Sequence, residues 1–163
     1  MGPDRRPGFR TQPGVSKIDV MKISISDETG LLGAGEKSRL RKIASAVLRG
    51  LGLPSSTELS LTFIDDRRMR ELNRQWRSID RATDVLSFPQ DGGPDYTLLG
   101  DIVISLETAE RQSVRYGNTL REEIKKLIVH GALHLLGHDH KKKKEKEIMR
   151  EEESRLMLTI KDL

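Results

Sequence analysis

The amino-acid sequence predicts one domain of the α+β or α/β class, with about five helices packed around a small mixed sheet. The chain has 163 residues, the usual size of a single domain with its own core. Short stretches of alternating apolar residues take turns with longer stretches of helical periodicity. Their order, β-α-β-α-β-β-α-α-α, indicates a mixed sheet.

The composition excludes several classes of protein. Hydrophobic residues make up 35% of the chain and charged residues 33%, which indicates a soluble globular protein. Cysteine is absent, so disulfides and thiolate metal sites are excluded. No apolar run approaches the roughly 20 residues of a membrane helix, and no signal-peptide core follows the basic N-terminus, so we expect a cytoplasmic protein without membrane contact. A net charge of +4 is compatible with a polyanionic partner but does not predict one.

The first elements follow a basic arm. Residues 1–16 are rich in Arg, Pro and Gly, which predicts a flexible arm, either a solvated tail or a phosphate contact. A single domain is expected over 17–163. It begins with a strand over 17–26, in which apolar and polar residues alternate. A helix follows over 36–51, where the apolar residues recur with helical spacing. The apolar residues of that helix are Leu40, Ile43, Ala44, Val47, Leu48 and Leu51.

A second strand, a short helix and a third strand come next. Apolar and polar residues alternate over 57–65, which predicts a strand. Asp65 or Asp66 then caps a helix over 67–76. The segment 85–88 is a short strand. The expected inward-facing residues of these elements are Leu59, Leu61, Phe63, Met69, Leu72, Leu86 and Phe88.

Proline and glycine residues separate the third strand from the fourth. Pro89 ends the third strand, and the glycine pair at 92–93 marks a loop. The apolar, β-branched run over 98–105 predicts a central strand, and a helix follows over 106–115.

Two further helices complete the chain. Asn118 or Thr119 starts a helix over 119–136, and Gly137 ends it. A charged amphipathic helix follows over 141–160. The expected buried residues are Leu120, Ile124, Leu127, Ile128, Ala132 and Leu135 in the first helix and Ile148, Met149, Leu156 and Met157 in the second.

All four histidines lie in one segment, HGALHLLGHDH, from His130 to His140. His130 and His134 are one helical turn apart, so both imidazoles can reach one cation. Gly137 lets the chain turn back, and His140 then supplies a third ligand. Three imidazoles leave one tetrahedral position open, as in catalytic zinc sites, although Ni²⁺, Co²⁺ and Cu²⁺ also bind imidazole. The spacing therefore predicts a metal site, with zinc favoured, at the end of a core helix.

Two residues near the three expected ligands leave alternatives open, and a third bears on the class of enzyme. His138 either points toward surface or substrate, or closes the metal site as a fourth ligand. Asp139 either orients a histidine N–H or is a plain turn residue. Gly131 stands where H-E-x-x-H metalloproteases carry the glutamate that acts as general base, which disfavours a peptidase.

Three motifs resemble the YbeY family, bacterial single-strand-specific endoribonucleases also described as rRNA maturation factors. HGALHLLGHDH fits the family's H-G-x-L-H-L-x-G-(Y/H)-D-H throughout. ELNRQWRSIDRATDVLSFP (71–89) resembles L-N-x-x-(Y/W)-R-x-x-D-x-x-T-D-V-L-S-F-P, and LLGDIVIS (98–105) resembles L-G-D-I-x-I-S. The match departs at Ala82, where the family more often has proline, which affects only local rigidity.

The resemblance implies an α+β fold with the metal at the floor of a cleft. It implies that His130, His134 and His140 hold zinc and that Arg77 is functionally important, so that these four residues form the catalytic set. The implied activity is cleavage of single-stranded RNA. The implied role is processing of ribosomal RNA, notably at the 3′ end of 16S rRNA, with a part in quality control of ribosomal particles.

Four residues are candidate substrate contacts. The Arg77 guanidinium can bind phosphate with a bidentate fork and stabilise charge that grows on phosphorus. Ser87 is expected beside the cleft. Lys141 and Lys142 begin the run KKKKEKE, which is either a solvated helix face or a track for phosphates.

For other residues a structural role is favoured. Trp76, the only tryptophan, is expected to pack in the core beside Leu72 rather than to stack on a base. Asp84 is expected to cap a turn, and Asp101 to accept hydrogen bonds at the start of a strand.

Two points of function stay open in the sequence. The nucleophile is either a metal-activated water or the RNA 2′-OH. A non-catalytic, metal-containing ribosome assembly or RNA-binding factor is the principal rival to an endoribonuclease, and a metallopeptidase is a distant third.

Overall fold

A computed structural model describes residues 21–90 and 98–163. The predicted arm over 1–16, the first part of the strand over 17–26 and the glycine pair at 92–93 lie outside these ranges. The order of elements is as predicted. The elements are β1 (Lys22–Asp27), α1 (Ala34–Gly50), β2 (Glu58–Ile64), α2 (Asp66–Arg77), β3 (Val85–Pro89), β4 (Leu98–Ser105), α3 (Leu106–Tyr116), α4 (Leu120–Leu135) and α5 (Lys143–Thr159).

The four described strands form one mixed sheet in the order β1-β2-β4-β3. β1, β2 and β4 are parallel, whereas β3 runs antiparallel to β4. The apolar run that predicted a central strand is therefore an inner strand, and β3 lies at the edge. This mixed sheet with its five helices confirms the predicted α+β class.

The core lies on both faces of the sheet because side chains alternate along each strand. Ile102 and Ile104 of β4 point into the larger core cluster, which α1, α4 and α5 cover. Val103 points to the opposite face and packs in a smaller cluster with Met69 of α2 and Leu86 of β3. The edge strand β3 thus has α4 near one face and α2 on the other.

Side-chain caps settle two helix starts that the sequence left open. The Asp65 carboxylate accepts a hydrogen bond from the backbone N–H of Arg68 at 2.9 Å, so Asp65 rather than Asp66 caps α2. The Thr119 hydroxyl accepts the N–H of Glu122 at 3.1 Å and caps α4. Asp66 instead bridges two helices, as its carboxylate accepts the hydroxyls of Ser105 and Thr108, both at 2.6 Å.

Two predicted core positions are wrong. Trp76 is 63% exposed and touches Phe88 edge-on, with 5.8 Å between ring centroids. It lies in the last turn of α2, beside the edge strand β3, where no described element covers the ring. Ile148 is 45% exposed, because the buried side of α5 runs through Met149 and Leu156 instead. None of the helices in the described ranges is long and apolar enough to cross a bilayer.

Candidate metal centre

Helix α4 presents two histidines on one face. His130 and His134 are one turn apart, and their Nε2 atoms are 3.0 Å from each other. Both rings are partly buried. Two nitrogens that share a tetrahedral zinc at 2.0–2.1 Å would be about 3.3 Å apart. The spacing of this pair therefore fits a shared metal ion.

A tight turn after α4 returns the chain toward this pair. Gly137 adopts a φ of 89°, in the left-handed region that favours glycine. The N–H of Gly137 donates to the carbonyl of His134 at 3.0 Å, and the N–H of His138 donates to that of Leu133 at 3.1 Å. These two bonds form a Schellman motif, which caps the helix and reverses the chain.

The reversed chain brings the third histidine to the other two. The His140 ring centroid lies 5.3 Å from that of His134 and 6.0 Å from that of His130. One nitrogen from each of the three rings lies within 4.8 Å of the others. His140 is the exposed member, so a small movement of its side chain would complete the ligand set. His138 is not part of this group.

Burial and neighbouring imidazoles keep His134 in a state that suits a cation. Burial lowers the pKa of His134, and the nearby rings of His130 and His140 lower it further. The ring of His134 is therefore neutral at physiological pH and keeps a lone pair for a metal.

A carboxylate from the last helix also reaches the centre. The Nδ1 atom of His130 is 3.0 Å from Oε1 of Glu153 in α5. Glu153 was not among the residues that the motifs predicted for the site. The sequence does contain a sign of its role. Glu153 lies four residues after Met149 and three before Leu156, so it shares the inner face of α5 with these two apolar residues. An acidic residue in such an apolar stripe needs a polar partner, and His130 is that partner.

A cavity of about 270 Å³ opens beside the rings, and it is called the histidine cavity below. Arg77 and Ser87, both predicted substrate contacts, line it together with the three histidines. The remaining lining residues are Thr83, Asp84 and Val85. Helix α2, strand β3 and helix α4, which are far apart in the sequence, thus converge here.

Ser87 also has a structural partner. Its hydroxyl donates to the carbonyl oxygen of Gly131 at 3.1 Å, which joins β3 to α4. Asp84 accepts the N–H of Val85 at 2.8 Å and the side-chain amide of Gln112 at 3.3 Å. These contacts agree with the expected role of Asp84 as a turn cap.

The remaining candidate residues differ in their contacts and exposure. The Asp139 carboxylate accepts the backbone N–H of His140 at 2.7 Å, a bond that lowers the pKa of Asp139 and fits a turn residue. Lys141 and Lys142 follow directly and are exposed, and Lys142 is the N-terminal cap residue of α5. Asp101 is partly buried on β4 and accepts the side-chain amide of Gln90 at 3.3 Å.

Comparisons with known proteins agree with this architecture. The family model described as Endoribonuclease YbeY matches residues 24–161. The chain is 42% identical over 145 residues to Endoribonuclease YbeY of Pelotomaculum thermopropionicum, covering 84% of this chain and 95% of the relative. It is 51% identical over 114 residues to Endoribonuclease YbeY of Aquifex aeolicus, covering 68% of this chain and 74% of the relative. The solution structure of TM1509 from Thermotoga maritima superposes with a TM-score of 0.53 at 27% identity, covering 83% of this chain and 89% of that one.

Proposed function

This chain belongs to the YbeY family of endoribonucleases and cleaves RNA, and we propose that it does so as a zinc-dependent enzyme specific for single strands. The observation that carries the proposal is that one nitrogen from each of three imidazoles lies within 4.8 Å of the others, at the wall of the histidine cavity. Family membership also decides against the non-catalytic assembly factor and the metallopeptidase.

The donor set suits zinc best among the common ions. His130, His134 and His140 offer nitrogen ligands only, which zinc accepts and Mg²⁺ or Ca²⁺ does not favour. Nickel is an alternative with the same preference for imidazole. When bound, such an ion supplies Lewis acidity at a phosphodiester and lowers the pKa of water.

The chain's own residues bind and orient the RNA. The Arg77 guanidinium lines the histidine cavity, so we assign it to the scissile phosphate, where it stabilises the additional negative charge of the transition state. Ser87 lines the same cavity, and we assign its hydroxyl to the phosphate as a donor, which requires that its proton turn away from the Gly131 carbonyl that it meets in the structure. We assign Lys141 and Lys142 to flanking phosphates, because they are exposed and directly follow His140 in the sequence.

Exposure of Trp76 favours a contact with the bases. Trp76 is 63% exposed and directly precedes Arg77 in the sequence. Its ring is therefore available for stacking on an unpaired base. A base in a duplex is already stacked and cannot use such a platform, whereas a single strand can. This contact supports specificity for single strands.

We assign the activity to processing of ribosomal RNA in the cytoplasm. The proposed substrate is the 3′ end of 16S rRNA, with ribosomal particles as partners and a part in ribosome quality control, as the motifs in 71–89 and 130–140 imply by their resemblance to the family. The absence of cysteine supports a reducing compartment.

One paired assay tests the proposal. Wild type and the His134→Ala variant are purified without chelator, their metal content is measured by elemental analysis, and both are incubated with a labelled single-stranded RNA and a matched duplex. We expect about one zinc per wild-type chain and cleavage of the single strand alone, with both lost in the variant. Equal cleavage by the variant, or cleavage of the duplex at the same rate, would contradict the proposal.

A further inference from the structure

Glu153 occupies a place on α5 that packing alone would give to an apolar residue. Met149 and Leu156, its neighbours along the inner face, are 2% and 0% exposed. Glu153 itself keeps only 35% of its side chain exposed. A carboxylate so placed loses part of its hydration, so it needs a compensating hydrogen bond.

The partner of this carboxylate is a single ring atom of His130. Oε1 of Glu153 lies 3.0 Å from Nδ1 of His130, and the two residues belong to different helices. A carboxylate only accepts hydrogen bonds, so Nδ1 must carry the proton. The proton is then absent from Nε2 in the neutral ring, and Nε2 is the atom that faces His134 at 3.0 Å. The contact therefore selects the tautomer that offers a lone pair to a cation.

The neighbouring acidic residues of α5 do not share this contact. Glu152 pairs with Arg155 of its own helix, and Glu151 is exposed. Of these three consecutive glutamates, only Glu153 makes a hydrogen bond to one of the three clustered histidines, as its position on the inner face dictates.

We propose that Glu153 is a positioning residue of the metal centre, which fixes the tautomer and ring orientation of His130 and thereby raises metal affinity. The inference rests on the proposed function, since it concerns the same centre. Metal-binding histidines commonly donate their second N–H to a carboxylate, and removal of that partner weakens metal binding about 10–100-fold. Glu153 acts through His130 and has no contact with RNA in this assignment.

Zinc affinity tests the proposal without recourse to activity. Glu153→Ala, Glu153→Gln and the control Glu151→Ala are titrated with zinc against a chromophoric chelator. We expect about 10–100-fold weaker binding in Glu153→Ala. Glu153→Gln should fall between, because an amide oxygen still accepts the N–H but carries no charge. Glu151→Ala should bind as wild type does, because its side chain is exposed on the same helix.

The tautomer of His130 gives a second measurement that a merely structural role of Glu153 would not move. Nitrogen-15 spectra of the metal-free protein should show the proton on Nδ1 in wild type and a larger share of it on Nε2 in Glu153→Ala. Glu153→Gln should lie between them, because its amide can either accept from Nδ1–H or donate to a bare Nδ1. If Glu153→Ala fails to fold by circular dichroism, Glu153→Gln decides both measurements.

The outcomes separate this inference from the proposed function. Wild-type protein that binds no zinc would contradict the proposed function. Wild type that binds zinc, with both Glu153 variants as tight as Glu151→Ala or with the His130 proton on Nε2, would overturn the role of Glu153 and leave the nuclease centre intact.

Discussion

Gly131 of α4 lies so close to Ile102 of β4 that a β-carbon at position 131 would be 2.9 Å from Cγ2 of Ile102. The absence of a side chain thus sets how closely the helix that carries His130 and His134 approaches the sheet. Position 131 is also where H-E-x-x-H metalloproteases carry their general-base glutamate. A side chain at this position would here point toward the sheet rather than into the histidine cavity.

Gly131→Ala should destabilise the protein. Ala favours a helix over Gly by roughly 0.8–1 kcal/mol, but overpacking against Ile102 costs about 1–3 kcal/mol, so we expect a net loss in the free energy of unfolding. Urea unfolding measures it. The matched control is Gly35→Ala in α1, where a β-carbon meets nothing within 4 Å and a gain is expected. Equal effects in the two variants would show that close packing at 131 is unimportant.

Arg77→Ala should reduce cleavage by on the order of 10²-fold while zinc content stays unchanged, because the lost guanidinium stabilises the transition state and does not bind metal. Single-turnover cleavage of a labelled strand measures the rate. Arg67→Ala, exposed at the other end of the same helix, is the control and should cleave normally. Loss of zinc in the Arg77 variant would instead indicate that Arg77 supports the centre.

Trp76 should report RNA binding directly, because it is the only tryptophan of the chain. Single-stranded RNA should quench its fluorescence, and duplex RNA should not. Trp76→Leu should weaken binding by about 1–3 kcal/mol, or roughly 5–150-fold, whereas Trp76→Phe keeps part of the stacking. Fluorescence that does not respond to saturating single strand would rule out the platform.

Asp66 should make the fold sensitive to acid. Burial alone raises the pKa of the Asp66 carboxyl, but hydrogen bonds from Ser105, Thr108 and Arg111 outweigh it, so the net pKa is lowered. A lowered folded-state pKa stabilises the fold above the unfolded value of about 3.9, and this contribution is lost as the pH falls through the folded pKa. Asp66→Asn should therefore be less stable than wild type at pH near 7.

Urea unfolding of both proteins at several pH values tests this expectation. The difference between wild type and Asp66→Asn should shrink as the pH falls below about 3.9. A difference that is constant with pH would assign the loss to geometry rather than to the charge of Asp66.

Local spacing was sufficient to predict that His130, His134 and His140 lie close together. His130 and His134 are linked by helical geometry and His140 by a glycine turn, so a few consecutive residues contain all the information needed. The element order was equally accessible, because apolar periodicity is a local property.

Contacts between distant elements were not accessible in the same way. Glu153 meets His130 across two helices, and the sequence shows only a polar residue in an apolar stripe. Trp76 follows the helical spacing of a core residue, but the helix places it beside an edge strand. Whether a stripe position is covered depends on where the sheet ends, which is a property of the whole fold.

The contact between His130 and Glu153 has a consequence for biosynthesis. The three histidines leave the ribosome before Glu153 does, because the chain is made from its N-terminus and Glu153 lies in α5. A nascent chain that already contains the three histidines still lacks the carboxylate that contacts the first of them. If Glu153 orients His130 as proposed, the full metal affinity of the centre is expected only after α5 has packed against α4.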